Sequence, residues 1–131
     1  MDAADILTSL IGRPQPLPAA LLETFPELRA ARFRRGGLFV RIGGWCLGIR
    51  SVAGITLWRT IWLAPHAPLD PALLLHELRH VHQFASSPWF PLLYIWDSLR
   101  RGYRGNRFEA DANDFAARRL REAARPPSSP C

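Results

Sequence analysis

The sequence contains no lysine, only two cysteines and no apolar run long enough to cross a membrane. Two cysteines cannot form a four-thiolate zinc site, and one disulfide between Cys46 and Cys131 would be weak grounds for predicting export. The N-terminus carries Asp2 and Asp5 where a secretory signal would be basic. We therefore predict a cytoplasmic protein that is soluble or peripheral to a membrane, and not integral.

Because lysine is absent, all 17 basic residues are arginine, and with 11 acidic residues the net charge is +6. Such a surplus suits an anionic membrane surface, nucleic acid or a solvated shell of arginines. The arginines are spread along the chain without a helix-turn-helix or aromatic RNA-binding pattern, so nucleic acid is not an expected partner. The solvated shell is the favoured interpretation, with an anionic membrane surface as the alternative.

A length of 131 residues and a hydrophobic fraction of 48% predict one compact domain over residues 1–125, with an α+β fold. Residues 126–131 (PPSSPC) have nothing to bury and are expected to form a flexible tail. Four successive segments are predicted within the domain. They are a helical N-terminal segment (1–32), a small antiparallel sheet (33–64), a motif-bearing helix (71–85) and a last helix (107–124).

The glycine-punctuated region 33–64 is rich in β-branched and aromatic residues, which predicts strands near 38–42, 45–50 and 55–63. In the last of these, alternation places Trp58 and Trp62 on one face. Core packing is the favoured role of the two tryptophans, and lining a substrate groove is the alternative.

The motif helix carries His76-Glu77-Leu78-Arg79-His80, which fits the pattern H-E-x-x-H. Positions i and i+4 share a helix face, so His76 and His80 can reach one zinc ion, while Glu77 borders that face. His82 projects away from the pair and is excluded as a ligand. The helix is apolar on most sides, and its buried polar groups need a partner such as a metal.

The last predicted helix turns one carboxylate inward. Glu109 falls within the apolar stripe formed by residues such as Ala112 and Ala116, whereas Asp111 and Asp114 fall on the opposite side. An arginine could satisfy Glu109, and so could a zinc ion held by the two histidines. The H-E-x-x-H pattern in the same chain favours the metal.

Between these helices, prolines bracket Trp89-Phe90, and residues 92–101 (LLYIWDSLRR) are predicted to form a helix. This helix is expected to cover the motif helix, because it is too short to span a bilayer. In the alternative, its aromatic residues enter a bilayer interface while arginines bind lipid phosphates. The residues concerned are Trp89, Phe90, Trp96, Arg100, Arg101, Arg104 and Arg107.

The stretches HELRHVHQ and YRGNRFEADANDFA together resemble the gluzincin metallopeptidases, and particularly the minigluzincins. The similarity covers roughly Ile55 to Ala117. It implies a zincin-like minimal catalytic domain in which the strand before the motif helix forms the upper rim of the cleft and pairs with an extended substrate. It also implies His76, His80 and Glu109 as ligands of one zinc ion and Glu77 as the catalytic general base.

One position departs from that family. Thermolysin-like members usually place an aspartate four residues after the ligand glutamate, where it accepts the other N–H of the first histidine; this chain has Asn113. An amide oxygen can accept the same bond but carries no charge, so it raises the basicity of the imidazole less. Candidate donors to an oxyanion, by proximity in sequence, are Tyr103, Arg104 and Arg107.

The sequence therefore predicts zinc-dependent hydrolysis of a peptide or protein substrate. The alternative is a latent or non-catalytic adaptor that zinc stabilises, peripheral to a membrane, since so small a domain offers little wall for substrate. Cys131 is favoured as a cysteine without a role in the site; in the alternative, a latent form, its thiolate could occupy the fourth position on zinc.

Overall fold

The fold is α+β, and the computed structural model describes residues 1–46 and 53–127. Six α-helices, one 3-10 helix and a four-stranded sheet occupy these ranges. In chain order they are α1 (Ala3–Ile11), β1 (Arg13–Pro14), α2 (Ala19–Thr24), the 3-10 helix (Pro26–Ala30), β2 (Arg32–Arg35), α3 (Leu38–Cys46), β3 (Gly54–Leu57), β4 (Thr60–Leu63), α4 (Pro71–Ser86), α5 (Phe90–Arg101) and α6 (Arg107–Ala124). Across the described part of the chain, no helix combines the length and the apolar character needed to cross a membrane.

The sheet is mixed, so the prediction of an antiparallel sheet is wrong. Its strand order is β1-β2-β4-β3, and β2 pairs with β4 in parallel while the other two pairs are antiparallel. Parallel neighbours need a crossover connection. Here that connection contains α3, in a region predicted to hold strands only.

The first predicted strand, 38–42, is the beginning of α3, which extends to Cys46. The second, 45–50, begins inside the same helix, and its residues 47–50 lie outside the described part of the chain. A short apolar run fits a strand and a buried helix equally well, so its periodicity does not decide between them. Val40 is buried, and the ring of Phe39 lies 4.8 Å from that of Trp62. Packing of α3 on the sheet therefore favours the helix.

The third predicted strand, 55–63, is a hairpin in which β3 and β4 flank a two-residue turn at Trp58-Arg59. Trp58 has φ 53, a left-handed conformation that a continuous strand excludes. The turn separates the two tryptophans that were predicted to share a face. Trp62 is buried in the core, whereas Trp58 is exposed.

Strand β2 was not predicted, because three of its four residues are arginine. The guanidinium groups of Arg34 and Arg35 bind backbone carbonyl groups elsewhere in the fold, and Arg35 donates to those of Ala64 and Ala67. Arg34 donates to the carbonyl oxygens of Ile11 and Gly12 at the C-terminus of α1, next to the indole N–H of Trp62, which also donates to Ile11. The strand is thus stabilised by side chains that would ordinarily be solvated.

The main core lies between the sheet and α4. Ile61 and Leu63 of β4 pack with the apolar side of α4, and Ala116 of α6 joins the same cluster. Fully buried members of the cluster on α4 are Leu74, Leu75 and Leu78. Because α4 is held on two sides, by the sheet and by α6, the polar residues of the motif have a fixed position.

Helix α5 packs over α4, as the favoured prediction had it, and begins two residues earlier than predicted. Phe90, one of the aromatic residues assigned to a bilayer in the alternative, is buried. Its ring lies 4.7 Å from that of Phe84 and 5.1 Å from that of Phe108. That part of the alternative is therefore wrong, because Phe90 fills the space between α4 and α6.

Asn106 fastens α5 to α6. Its side-chain oxygen accepts hydrogen bonds from the backbone N–H groups of Phe108 and Glu109, so it caps α6. Its amide nitrogen donates to the carbonyl oxygen of Tyr94 and to the hydroxyl of Ser98. Asn106 is completely buried, so each of these bonds is protected from water.

We expect Asn106→Ala to lower the free energy of unfolding by roughly 2–4 kcal/mol, since it removes a cap and leaves buried polar groups unpaired. The matched control is Asp70→Ala, which removes the exposed cap of α4 and its one bond to the N–H of Ala72. That control should cost about 0.5–1 kcal/mol. Urea unfolding of both variants measures the difference, and equal losses would contradict the role of Asn106.

Candidate metal centre

Helices α4 and α6 pack side by side and antiparallel, with His76 opposite Asn113 and His80 opposite Glu109. This arrangement brings three polar groups together. The Nε2 atom of His76 lies 2.9 Å from Oε2 of Glu109, and the Nε2 atom of His80 lies 3.1 Å from Oε1. The two Nε2 atoms are 3.2 Å apart. Each residue that the helix phase selected thus faces the other two.

These separations suit a single metal ion. Two ligand atoms at tetrahedral positions, each about 2.0–2.1 Å from zinc, lie roughly 3.3 Å from each other. With one oxygen of Glu109 counted, the three donor atoms all lie within 4.8 Å of one another. Two imidazoles and a carboxylate are also the ligand types that catalytic zinc sites use.

In both histidines the outer nitrogen, Nδ1, points away from Glu109, and the inner one, Nε2, points toward it. The hydrogen bonds of the outer nitrogens determine that the inner ones carry lone pairs. Nδ1 of His76 lies 2.7 Å from Oδ1 of Asn113, and Nδ1 of His80 lies 2.7 Å from Oε1 of Gln83. Amide oxygens only accept, so each Nδ1 is the donor. In a neutral imidazole the remaining Nε2 then carries a lone pair, and that lone pair points toward Glu109.

The orientation of Gln83 is itself fixed from behind. Its amide nitrogen donates to the carbonyl oxygen of Phe108 and to Oδ2 of Asp111, which leaves its oxygen for His80. Asp111 also accepts from Nε of Arg79, and this bond holds the pKa of the Asp111 carboxyl below its ordinary value. Sequence reasoning missed Gln83, although a glutamine three residues after the second histidine lies on the same helix face.

The charges of the cluster call for a cation. Burial alone would raise the pKa of Glu109, but hydrogen bonding to His76 and His80 outweighs it and holds that pKa well below its usual range. Burial would likewise lower the pKa of His80, but the bond to Glu109 and the negative charges of Glu77 and Glu109 raise it instead. The carboxylate is therefore ionised and faces two nitrogen lone pairs, which a proton or a metal ion can satisfy.

Two tyrosines complete the surroundings of Glu109. The hydroxyl of Tyr94 donates to Oε1 at 2.6 Å, and that of Tyr103 lies 3.5 Å from Oε2. Burial and the charge of Glu109 raise the pKa of both phenols, that of Tyr103 to about 12, so both remain hydrogen-bond donors. Tyr94 was not predicted, although Tyr94, Asp97 and Ser98 form a polar stripe on an otherwise apolar helix.

Glu77 lies beside the three candidate metal ligands but is not one of them. It is buried, and the hydroxyl of Thr56 on β3 donates to its Oε2 at 2.7 Å. A Cβ atom at Gly54 would lie only 3.2 Å from Cγ and Oε1 of Glu77, so the absence of a side chain there lets the carboxylate approach the strand. Neither Thr56 nor Gly54 had been assigned a role from the sequence, because the contact joins residues 21 or more positions apart.

The other predicted residues are placed as follows. Tyr103 borders the cluster, whereas Arg107 has its Nε 3.5 Å from Oδ1 of Asp97 and is thus engaged elsewhere. Arg104 is exposed. The ring of His82 packs on Phe115 at 5.5 Å, in keeping with its exclusion as a ligand. Cys131, the thiol considered for the fourth zinc position, lies outside the described residues.

Cavities flank the cluster on two sides, and both are lined by Gly54, Glu77 and Tyr103. One, of about 340 Å³, has a mainly apolar wall that includes Phe39, Leu57, Phe84, Phe90 and Ile95. The other, of about 450 Å³, reaches His76 and Asn113. The cluster therefore lies within a cleft that continues in both directions.

The rim of this cleft is an edge strand. Within the described ranges β3 pairs with β4 alone, and the carbonyl oxygen of Ala53 accepts from the N–H of Ala64. Backbone groups alternate in direction along a strand, so those of Gly54 and Thr56 point away from β4. Their outward N–H and C=O groups offer a pairing edge to an extended chain.

The chain matches no protein-family model, no curated protein and no solved structure. An assignment of function therefore depends on the site itself. That site comprises three candidate metal ligands from two helices, a separate buried carboxylate beside them and a cleft bordered by β3, the edge strand of the described sheet.

Proposed function

We propose that this protein is a zinc-dependent peptidase of the gluzincin type, with a zincin-like minimal catalytic domain. His76, His80 and Glu109 would hold the ion, and Glu77 would act as general base. The observation that carries the proposal is the convergence of two Nε2 lone pairs and one ionised carboxylate within about 3 Å, with a fourth polar residue alongside. Two imidazoles and one carboxylate favour zinc over magnesium or calcium, which prefer oxygen ligands.

A zinc ion supplies Lewis acidity, which acidifies water and polarises a carbonyl oxygen. The chain supplies the proton transfers. Thr56 holds Oε2 of Glu77, so Oε1 is the atom available to take a proton from the attacking water. The same oxygen can then deliver the proton to the nitrogen of the departing amine.

Three residues were considered from the sequence as hydrogen-bond donors to an oxyanion: Tyr103, Arg104 and Arg107. Of these, Tyr103 best suits the stabilisation of negative charge on the substrate. Its hydroxyl is a protonated donor at neutral pH and lines both cavities. At 3.5 Å its bond to Glu109 is long, so the hydroxyl can turn toward a substrate oxygen. Tyr94 makes a much shorter bond to Glu109 and is better suited to orienting that carboxylate.

The cleft favours an extended peptide as substrate. The outward backbone groups of Gly54 and Thr56 can pair with a peptide backbone, which gives affinity without regard to side chains. Specificity would then come from the apolar cavity beside Glu77, which has room for a large apolar side chain.

The central test compares three variants of α4 by zinc content and by cleavage of a peptide library. Glu77→Gln should keep one zinc ion per chain and lose activity by about 10²- to 10⁴-fold, since it removes a proton acceptor. His80→Ala should lose both the zinc and the activity. His82→Ala, which alters a histidine of the same helix outside the cluster, should lose neither.

Three outcomes would count against the proposal. Equal, negligible zinc in the wild type and in His80→Ala would remove the metal site. Full activity in Glu77→Gln would remove Glu77 from its role. Zinc binding by the wild type without cleavage of any peptide would instead favour the non-catalytic or latent adaptor.

Asn113 is uncharged where the thermolysin-like members have an aspartate, and this difference leads to a further prediction. Asn113→Asp adds a charge behind His76 and should raise zinc affinity, whereas Asn113→Ala removes the acceptor and should lower it by about 10- to 100-fold. Competition with a chelating dye measures both. The neighbouring carboxylate Asp114 pairs with Arg118, so Asp114→Ala is the control and should leave affinity unchanged. Equal affinities in the two Asn113 variants would contradict the role of this residue.

A further inference from the structure

Helix α5 has its polar side inward and its apolar side outward. Tyr94, Asp97 and Ser98 face α6, where they bond to Glu109, to the N–H of Arg107 and to Asn106. The opposite side consists of large apolar residues whose exposed fractions lie between 59% and 77%. We call these residues the outer face of α5; they are Trp89, at the N-cap position of the helix, and Leu92, Trp96 and Leu99. A soluble domain ordinarily orients a surface helix the other way, so this face calls for a partner.

Positive charge lies at the C-terminal end of this face. Residues 89–107 contain four arginines and a single acid, Asp97, which gives a net charge of +3. Asp97 is buried, and it is shared by Arg101 and Arg107, whose side chains remain more than half exposed. Arg100 and Arg104 are exposed as well. The outer face itself presents no carboxylate.

We propose that the outer face of α5 binds the surface of an anionic phospholipid bilayer, with α5 lying in the plane of the interface. Tryptophan and leucine side chains partition into the boundary between headgroups and acyl chains, and neighbouring arginines bind lipid phosphates. Charge selects this partner over a second copy of the chain. A second copy would bring four more arginines and no exposed acid from this face, whereas the lipid phosphates neutralise the arginines.

Binding of α5 to a bilayer would also affect the position of the cleft. Ile95 is exposed on α5 next to the outer face and also lines the apolar cavity beside Glu77. Phe39 and Ile42 of α3 line the same cavity and are also partly exposed. The apolar surface thus continues from α5 to the mouth of the cavity, and binding through α5 would hold that mouth near the bilayer. The lipid-binding inference does not rest on the peptidase activity.

The test is sedimentation of the full chain with vesicles of phosphatidylcholine alone or of phosphatidylcholine and phosphatidylglycerol in equal parts. The wild type should bind the anionic vesicles and bind the neutral ones much more weakly. Arg100→Gln/Arg104→Gln should weaken binding by about fivefold for each arginine, which corresponds to about 1 kcal/mol each. Arg121→Gln/Arg125→Gln makes the same change in net charge at the end of α6 and should alter binding by less than about twofold.

The apolar contribution is tested with Trp89→Ala/Trp96→Ala, which should weaken binding by roughly tenfold or more. Leu99→Glu serves as a second variant, because a residue 77% exposed can change without disturbing the core. Circular dichroism checks that each variant is folded.

Failure of the wild type to bind anionic vesicles would overturn the proposal, and so would equal losses in the two arginine pairs. A dimer that Leu99→Glu dissociates, without vesicle binding, would assign the face to a second copy instead.

Discussion

Three hydrogen-bond acceptors held together by two antiparallel helices are the constraint on which the rest of the structure depends. Lone pairs of His76 and His80 and the carboxylate of Glu109 would repel one another unless a proton or a metal ion lay among them. The surrounding side chains do not move these three groups apart. Instead, Asn113 and Gln83 bind the outer nitrogens and aim the inner ones at the same point.

Other parts of the fold hold these three residues in place. The core on the sheet side fixes α4, and the buried cap at Asn106 fixes the first turn of α6, from which Glu109 projects. Helix α5 supplies Tyr94 to Glu109. Because α5 turns its polar groups toward this network, its large apolar groups are left on the surface. The exposed tryptophans and the ordered cluster are thus two results of one arrangement.

The sequence predicted the helices other than α3, and it predicted that His76, His80 and Glu109 lie together, because both predictions depend on local periodicity. The motif spacing gave His76 and His80, and helix phase distinguished Glu109 from Asp111. The sheet was predicted poorly, since the short apolar run at 38–42 fits a helix or a strand and the turn at Trp58 lacks the usual glycine or asparagine. Contacts such as Thr56 with Glu77 depend on tertiary packing, which no local pattern reports.

The most direct measurement of the central claim is anomalous scattering from crystals grown with zinc, recorded on both sides of the zinc absorption edge. We expect one peak within about 2.0–2.2 Å of Nε2 of His76, Nε2 of His80 and a carboxylate oxygen of Glu109. Glu77 should lie outside this first coordination sphere. A fully loaded crystal with no peak among these three residues, or with its zinc bound elsewhere, would contradict it.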